Sequence, residues 1–134
     1  MLLVDASVWV SLVERESPHR EAAADLVRNG VGALGALDLT LYEIGNAVGV
    51  KQRDATEASR VIRLLLRSCR DRVVAIDAEL LESALRLADE YGLTAYDAAY
   101  VAAARRQGWT LVSTDIVDLV SKGLAVTPAA AVYP

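Results

Sequence analysis

Four acidic residues in this 134-residue chain, Asp5, Glu43, Asp97 and Asp115, each stand just past an apolar run or in the opening turns of an expected helix. If the strands run parallel, these distant positions meet at one edge of a single sheet. Carboxylates a few ångströms apart cannot all stay ionised unaided, because like charges force at least one to keep its proton. A divalent cation removes that penalty, and an all-oxygen donor set suits Mg2+ or Mn2+. The chemistry implied is metal-assisted attack on a phosphodiester.

Holding such a cluster requires alternating strands and helices, and the sequence supplies them. Leu2 to Val4 reads as a short buried strand and Ala6 to Glu14 as the helix after it. Ser17-Pro18 breaks the chain, and His19 to Arg28 forms a helix that stops at Asn29-Gly30, a good left-handed terminator. Val31 to Ala36 is a glycine-rich strand, and Asp38 or Thr40 would cap a helix running to about Gln52. Thr56 to Arg70 is strongly amphipathic, with Ala58, Ile62, Leu65, Leu66 and Cys69 facing one way and Arg60, Arg63, Arg67 and Arg70 the other. Val73 to Ile76 is a β-branched strand, and Asp77 caps a helix ending at Tyr91-Gly92. Thr94 to Gln107 is an alanine-rich helix closed by Gly108; Trp109 to Ser113 is a strand, Ile116 to Lys122 a short helix and Leu124 to Thr127 a last strand. The fold class is therefore α/β, a three-layer α/β/α sandwich with a central, mainly parallel sheet, spanning residues 1–134 as one domain. Spacing alone does not give the strand order.

Asp5 and Asp115 each end a strand that feeds a helix, which puts both at the carboxyl edge, where open α/β sheets bind ligands. Asp97 arrives by another route. Its helix of roughly thirteen residues rises ~20 Å, while the following strand returns only ~15 Å, so the helix start overhangs the strand's carboxyl end. Glu43 lies about a turn into its helix above the same edge, and Asn46 follows three residues later on the same face. Each acid also has a plain alternative. Thr94-Ala-Tyr-Asp97 and Thr40-Leu-Tyr-Glu43 match a capping box, and Asp115 with Asp118 or Asp5 alone could cap as well. Capping needs acids at helix starts but does not need all four at one edge, and that joint placement favours a site.

The bulk composition limits the partners. With 54% hydrophobic residues the chain can build a real interior, no apolar run reaches a membrane span, and the N-terminus lacks a secretory pattern. One cysteine, Cys69, allows no internal disulfide, so a cytoplasmic location with no membrane contact is expected. The formal charge is −4, yet Lys51 to Arg72 carries seven basic residues against three acidic ones, a local +4 that leaves −8 elsewhere. An acidic centre with a separate basic strip fits a metal site whose polyanionic substrate is held nearby, and it fits an ordinary surface equally.

The segments Leu3-Val4-Asp5-Ala6-Ser7-Val8, Tyr42-Glu43-Ile44-Gly45-Asn46-Ala47, Leu93-Thr94-Ala95-Tyr96-Asp97-Ala98-Ala99-Tyr100 and Leu111-Val112-Ser113-Thr114-Asp115, in that order, resemble the PIN-domain nucleases, and among them the VapC toxins of toxin–antitoxin pairs. The resemblance spans nearly the whole chain. It implies a PIN-like α/β/α domain and an Mg2+- or Mn2+-dependent endoribonuclease that cleaves RNA with an activated water, leaving a 5′-phosphate and a 3′-hydroxyl. The acidic quartet carries over onto Asp5, Glu43, Asp97 and Asp115, binding one or two ions, with Asp118 able to join beside or in place of Asp115. Ser7, Ser113 and Asn46 fall on positions that place water or a phosphate oxygen. A cognate VapB-type antitoxin and a homodimer are the implied partners.

The arginine stripe has two readings, contacts to RNA phosphates, which salt would weaken steeply, or a solvated face, the commoner role of such a stripe. His19 lacks Cys or His neighbours for a metal site; Trp9, Trp109, Tyr96 and Tyr100 read as packing or interface residues, and Cys69 as a small core residue. The rival from another class is a receiver-like phosphoacceptor switch built on Asp5, Asp77 and Lys122, which leaves Glu43 and Asp97 idle. A PIN-like binding protein without catalysis is the third reading.

Overall fold

In the computed structural model, which describes residues 1–133, four short parallel strands form the centre: β1 (Leu2–Val4), β2 (Leu34–Leu37), β3 (Val73–Val74) and β4 (Thr110–Val112), in the order β3-β2-β1-β4. The register pairs Leu3 with Gly35 on one side of β1 and with Leu111 on the other, while Leu37 faces Val74. Strand alternation sorts the core into two halves. Leu2, Val4, Leu34 and Ala36 pack under helices α1 (Ala6–Ser11), α2 (Arg20–Asn29), α3 (Leu39–Ile44) and α4 (Ala55–Cys69). Leu3, Leu37, Val74 and Leu111 pack under α5 (Ala78–Tyr91) and α6 (Ala95–Gln107). The expected three layers and parallel sheet are present.

The chain leaves β1 toward β2, yet β4 returns to the opposite flank of β1. That reversal opens a crevice above the carboxyl ends of β1 and β4, the place where doubly wound sheets bind ligands. Asp5 follows β1 and Asp115 follows β4, so both acids border it.

Several elements depart from the sequence expectation. The helix expected from residue 38 or 40 to about 52 is α-helical only to Ile44 and continues as a π-helix over Gly45–Lys51. Gly45 and Gly49 weaken the α-helical register there, and such widened turns are concentrated at functional sites. The expected short helix at 116–122 is likewise a π turn, Ile116–Val120. The third strand stops at Val74 rather than Ile76, because the Ile76 amide donates to the Asp38 carboxylate at 3.1 Å instead of to a neighbouring strand. The last expected strand reduces to one parallel bridge, Val112 with Val126, held by Val126 N–H to Leu111 O and Ser113 N–H to Val126 O, each 2.9 Å. Gly92 and Gly108 close α5 and α6 in the left-handed region as expected. Gly30 does not: its φ is −85°, and it is glycine because a Cβ there would lie 2.6 Å from the Leu26 carbonyl.

Candidate active site

The acids are carried on the segment after β1, on α3, on the first turn of α6 and on the segment after β4. Asp5 sits between β1 and α1 with only 5% of its surface exposed; its Oδ1 accepts from Ser7 Oγ at 2.5 Å. Ser7 Oγ also accepts from the Thr114 amide at 3.0 Å and lies 3.4 Å from Ser113 Oγ, which accepts from the Asp115 amide at 3.0 Å. The two serines thus tie the loop after β1 to the loop after β4 and orient the acids on both. Asp97 occupies the first turn of α6, where its amide donates to the capping Thr94 hydroxyl at 3.1 Å. Half of the expected capping box is therefore formed at Thr94, and Asp115 caps its own turn by accepting from the Asp118 amide at 3.0 Å. One carboxylate oxygen from each of Asp97, Asp115 and Asp118 lies within 4.8 Å of the others, close enough to share an ion.

Asp5 and Glu43 lie outside that group of three and adjoin it through charge, Glu43 by repulsion with Asp97 and Asp5 by repulsion with Glu43. The capping box expected at Thr40 does not form: Thr40 is fully buried inside α3, and its hydroxyl lies 2.9 Å from the Tyr100 phenol instead. Tyr100 donates in turn to Glu43 Oε1 at 2.6 Å. Asn46 is exposed and shares with Ser7, Glu43 and Thr114 a groove of about 1080 Å³ whose lining also includes Arg15, His19 and Lys51, with Glu14 and Glu16.

The electrostatics run along the whole row. Burial pushes the Asp5 carboxyl up to about 6, against the hydroxyls of Ser113 and Ser7, and Glu43 pushes it the same way. Glu43 is raised by burial and by Asp97, with Tyr100 opposing. Asp97 is raised by burial and then by Asp115 and Asp118. Repulsion therefore links Asp5 to Glu43, Glu43 to Asp97, and Asp97 to both Asp115 and Asp118. Among the described residues no ion pair reaches Asp5, Glu43, Asp97 or Asp115, and Lys122 comes only to 3.9 Å of Asp118. The Thr94 hydroxyl and Lys122 oppose the rise at Asp97 without reversing it, and hard oxygen donors crowded with so little counter-charge are a donor set that a small divalent cation fits.

The residues of the phosphoacceptor alternative are engaged elsewhere. Asp77 caps Leu80 and receives both its oxygens' bonds from Arg106, at 3.0 and 2.9 Å, while Lys122 donates to the Tyr91 carbonyl at 2.8 Å.

Comparison with known proteins agrees with this geometry. The PIN-domain family model matches residues 2–117. The chain belongs to the PIN-domain family. Its relatives include Ribonuclease VapC3 of Pyrobaculum aerophilum, 35% identical over 120 residues that make up 85% of this chain and 88% of that protein. Exonuclease VapC9 of the same organism is also 35% identical over 120 residues, covering 84% and 79%. Among solved structures, a toxin–antitoxin complex from Klebsiella pneumoniae superposes with a TM-score of 0.72 over 96% of this chain and 98% of that one, at 18% identity.

The remaining expected residues of this PIN domain lie apart from the acids. Arg60, Arg63 and Arg67 border a separate groove of about 570 Å³ together with Arg20, and Arg60 pairs with Glu57 at 2.7 Å. That groove shares no lining residue with the first. Arg70 is exposed at the end of α4. His19 lines the first groove, and Trp9, Trp109 and Cys69 pack in or against the core. No helix of the described residues is long and apolar enough to cross a membrane. In the sequence Thr40 reads as a helix cap and Tyr100 as a packing residue, and Thr114 carries no signal of its own. The available signal was that a tyrosine three residues after Asp97 on an alanine-rich helix is buried, and a buried phenol needs a partner.

Proposed function

We propose that the chain is a divalent-metal-dependent endoribonuclease that acts as the toxin of a VapBC-type pair, with residues 1–134 forming one nuclease unit. The observation that supports this most strongly is the run of repelling carboxylates at the sheet's switch point, of which Asp5, Glu43, Asp97 and Asp115 have no ion-pair partner among the described residues. Asp5, Glu43, Asp97 and Asp115 would hold Mg2+ or Mn2+, as one ion or two, with Asp118 beside or in place of Asp115. Bound there, the cation supplies Lewis-acid polarisation of a phosphoryl oxygen and acidifies the attacking water. The chain's own residues do the rest. A carboxylate of the row would accept the water's proton, the water oxygen bonds to phosphorus, the P–O3′ bond breaks in line, and a solvent water protonates the departing 3′-oxygen, leaving a 5′-phosphate and a 3′-hydroxyl. Ser7 and Ser113 keep the Asp5 and Asp115 loops in register, and Asn46 places a phosphate oxygen or water from the groove side. Arg15 and Lys51 in the same groove suit flanking phosphates of a single-stranded RNA.

A toxin–antitoxin complex among the structural neighbours supports an antitoxin as partner; in this reading a VapB-type antitoxin silences the enzyme, and the toxin works as a homodimer in the cytoplasm. Exposed Tyr42, Val50, Leu85, Tyr96 and Val117 give such partners apolar surface to bury. Incubation of single-stranded and circular RNA with Mn2+ tests the reading. Wild type is expected to cut both, because an endonuclease needs no end. Excess chelator or Asp97→Asn is expected to reduce cleavage by roughly 10²-fold or more with the fold intact. Cleavage that persists in either condition contradicts the metal site, and an uncut circle contradicts internal cleavage.

A further inference from the structure

Glu43 receives one side-chain hydrogen bond among the described residues, and it comes from deep inside the protein. The Tyr100 phenol donates to Glu43 Oε1 at 2.6 Å, while the ring is 2% exposed. A phenol has one proton and two acceptor lone pairs. With that proton directed at the carboxylate, the 2.9 Å contact between Tyr100 and Thr40 has a fixed sense: the Thr40 hydroxyl is the donor and the phenol oxygen accepts. Thr40 is fully buried, so neither hydroxyl exchanges partners with solvent. The result is an ordered relay, Thr40 to Tyr100 to Glu43, crossing from α3 to α6 and back.

The relay's endpoints are informative. Tyr100 lies one helical turn after Asp97 on α6, and Glu43 closes the last α-helical turn of α3 before the π segment begins. Tyr100 thus fixes a carboxylate on one helix relative to the acid carried by another. A hydrogen bond to one oxygen of a ligating carboxylate holds its orientation and leaves the second oxygen for the ion, the usual task of groups one shell out from a metal. A phenol buried only for packing would be met as well by phenylalanine, whereas this one carries hydrogen bonds of 2.6 and 2.9 Å on its oxygen.

We infer that Tyr100, held by Thr40, is a positioning residue that presets the Glu43 carboxylate for divalent-cation binding. This rests on the metal-dependent reading above. Removing the phenol oxygen while keeping the ring isolates the effect. Tyr100→Phe is expected to weaken Mn2+ binding, measured calorimetrically without RNA, by roughly 10-fold or more. The KM for RNA at saturating Mn2+ stays near wild type. Thr40→Val, which leaves the phenol without its donor, is expected to give a smaller loss in the same direction. Because Tyr100 acts through Glu43, Glu43→Gln and the Glu43→Gln/Tyr100→Phe pair are expected to bind Mn2+ equally. A folded Tyr100→Phe protein with wild-type Mn2+ affinity overturns the inference, as does an undiminished Tyr100→Phe loss in the Glu43→Gln background. Should Tyr100→Phe fail to fold, the Thr40→Val result decides, and wild-type Mn2+ affinity there overturns the inference. A wild-type protein that binds no Mn2+ overturns the metal reading itself, a result distinct from these.

Discussion

Asp5 carries the tension between stability and function in this molecule. Folding raises its pKa from 3.8 to about 6, chiefly by burial, so the native apo protein binds more protons than the unfolded chain between those values. Its favourable contribution is full below about pH 3.8 and is lost as the pH rises through about 6. At neutral pH the apo protein therefore holds a destabilising charge that a bound cation would relieve. Asp5→Asn is expected to stabilise the apo protein by on the order of 2 kcal/mol at pH 7.5, with the advantage shrinking toward pH 5, as read by urea denaturation at both pH values. The same substitution is expected to abolish cleavage, the usual trade between an unstrained site and a working one. An apo Asp5→Asn protein less stable than wild type at pH 7.5 would contradict the burial of an unpaired charge. The identities of Asp5, Glu43, Asp97 and Asp115 were legible because acids after strands are conspicuous. Ser7, Ser113 and Thr94 beside those acids were legible too, whereas the hold on Glu43 was not, since the Thr40–Tyr100 contact joins residues sixty apart that no local pattern links.

Among the elements, helices were easier to read than strands, for a physical reason. Helices α4, α5 and α6 announce themselves through long amphipathic or alanine-rich runs and side-chain caps at Asp54, Asp77 and Thr94. The strands are two to four residues long and buried, so they lack the alternation that would mark their ends. The π-helical stretch at Gly45–Lys51 obeys the same apolar pattern as an α-helix and was invisible as a distinct form. The strand order rests on pairings across the fold. Helix α6 allows capping and site roles to be separated. Thr94→Ala removes the bond from the Asp97 amide and is expected to cost about 1 kcal/mol of stability, while Asp97 keeps its carboxylate for the ion. Loss of Mn2+ binding in a folded Thr94→Ala protein would show that the cap also orients Asp97.

At the scale of the whole molecule, charge is divided between two grooves. The first is lined by Glu43 of the acidic row, by Glu14 and Glu16, and by Arg15, His19 and Lys51, while the second gathers Arg20, Arg60, Arg63 and Arg67 with no acid of the row. If RNA follows the first, Arg15→Ala with Lys51→Ala lowers the slope of log affinity against log salt by about 1.4, the value for two lost phosphate contacts on a single strand. Replacing Arg60, Arg63 and Arg67 by alanine is then expected to leave that slope nearly unchanged; the reverse result would move the RNA to the second groove. Both depend on the acids sharing a cation. Crystals soaked in Mn2+ and measured at the manganese absorption edge address that point directly. An anomalous peak is expected among the carboxylates of Asp5, Glu43, Asp97 and Asp115, reached by at least two of them. Full soaking with no peak there, or with peaks only at surface acids such as Asp25 or Asp89, would contradict it.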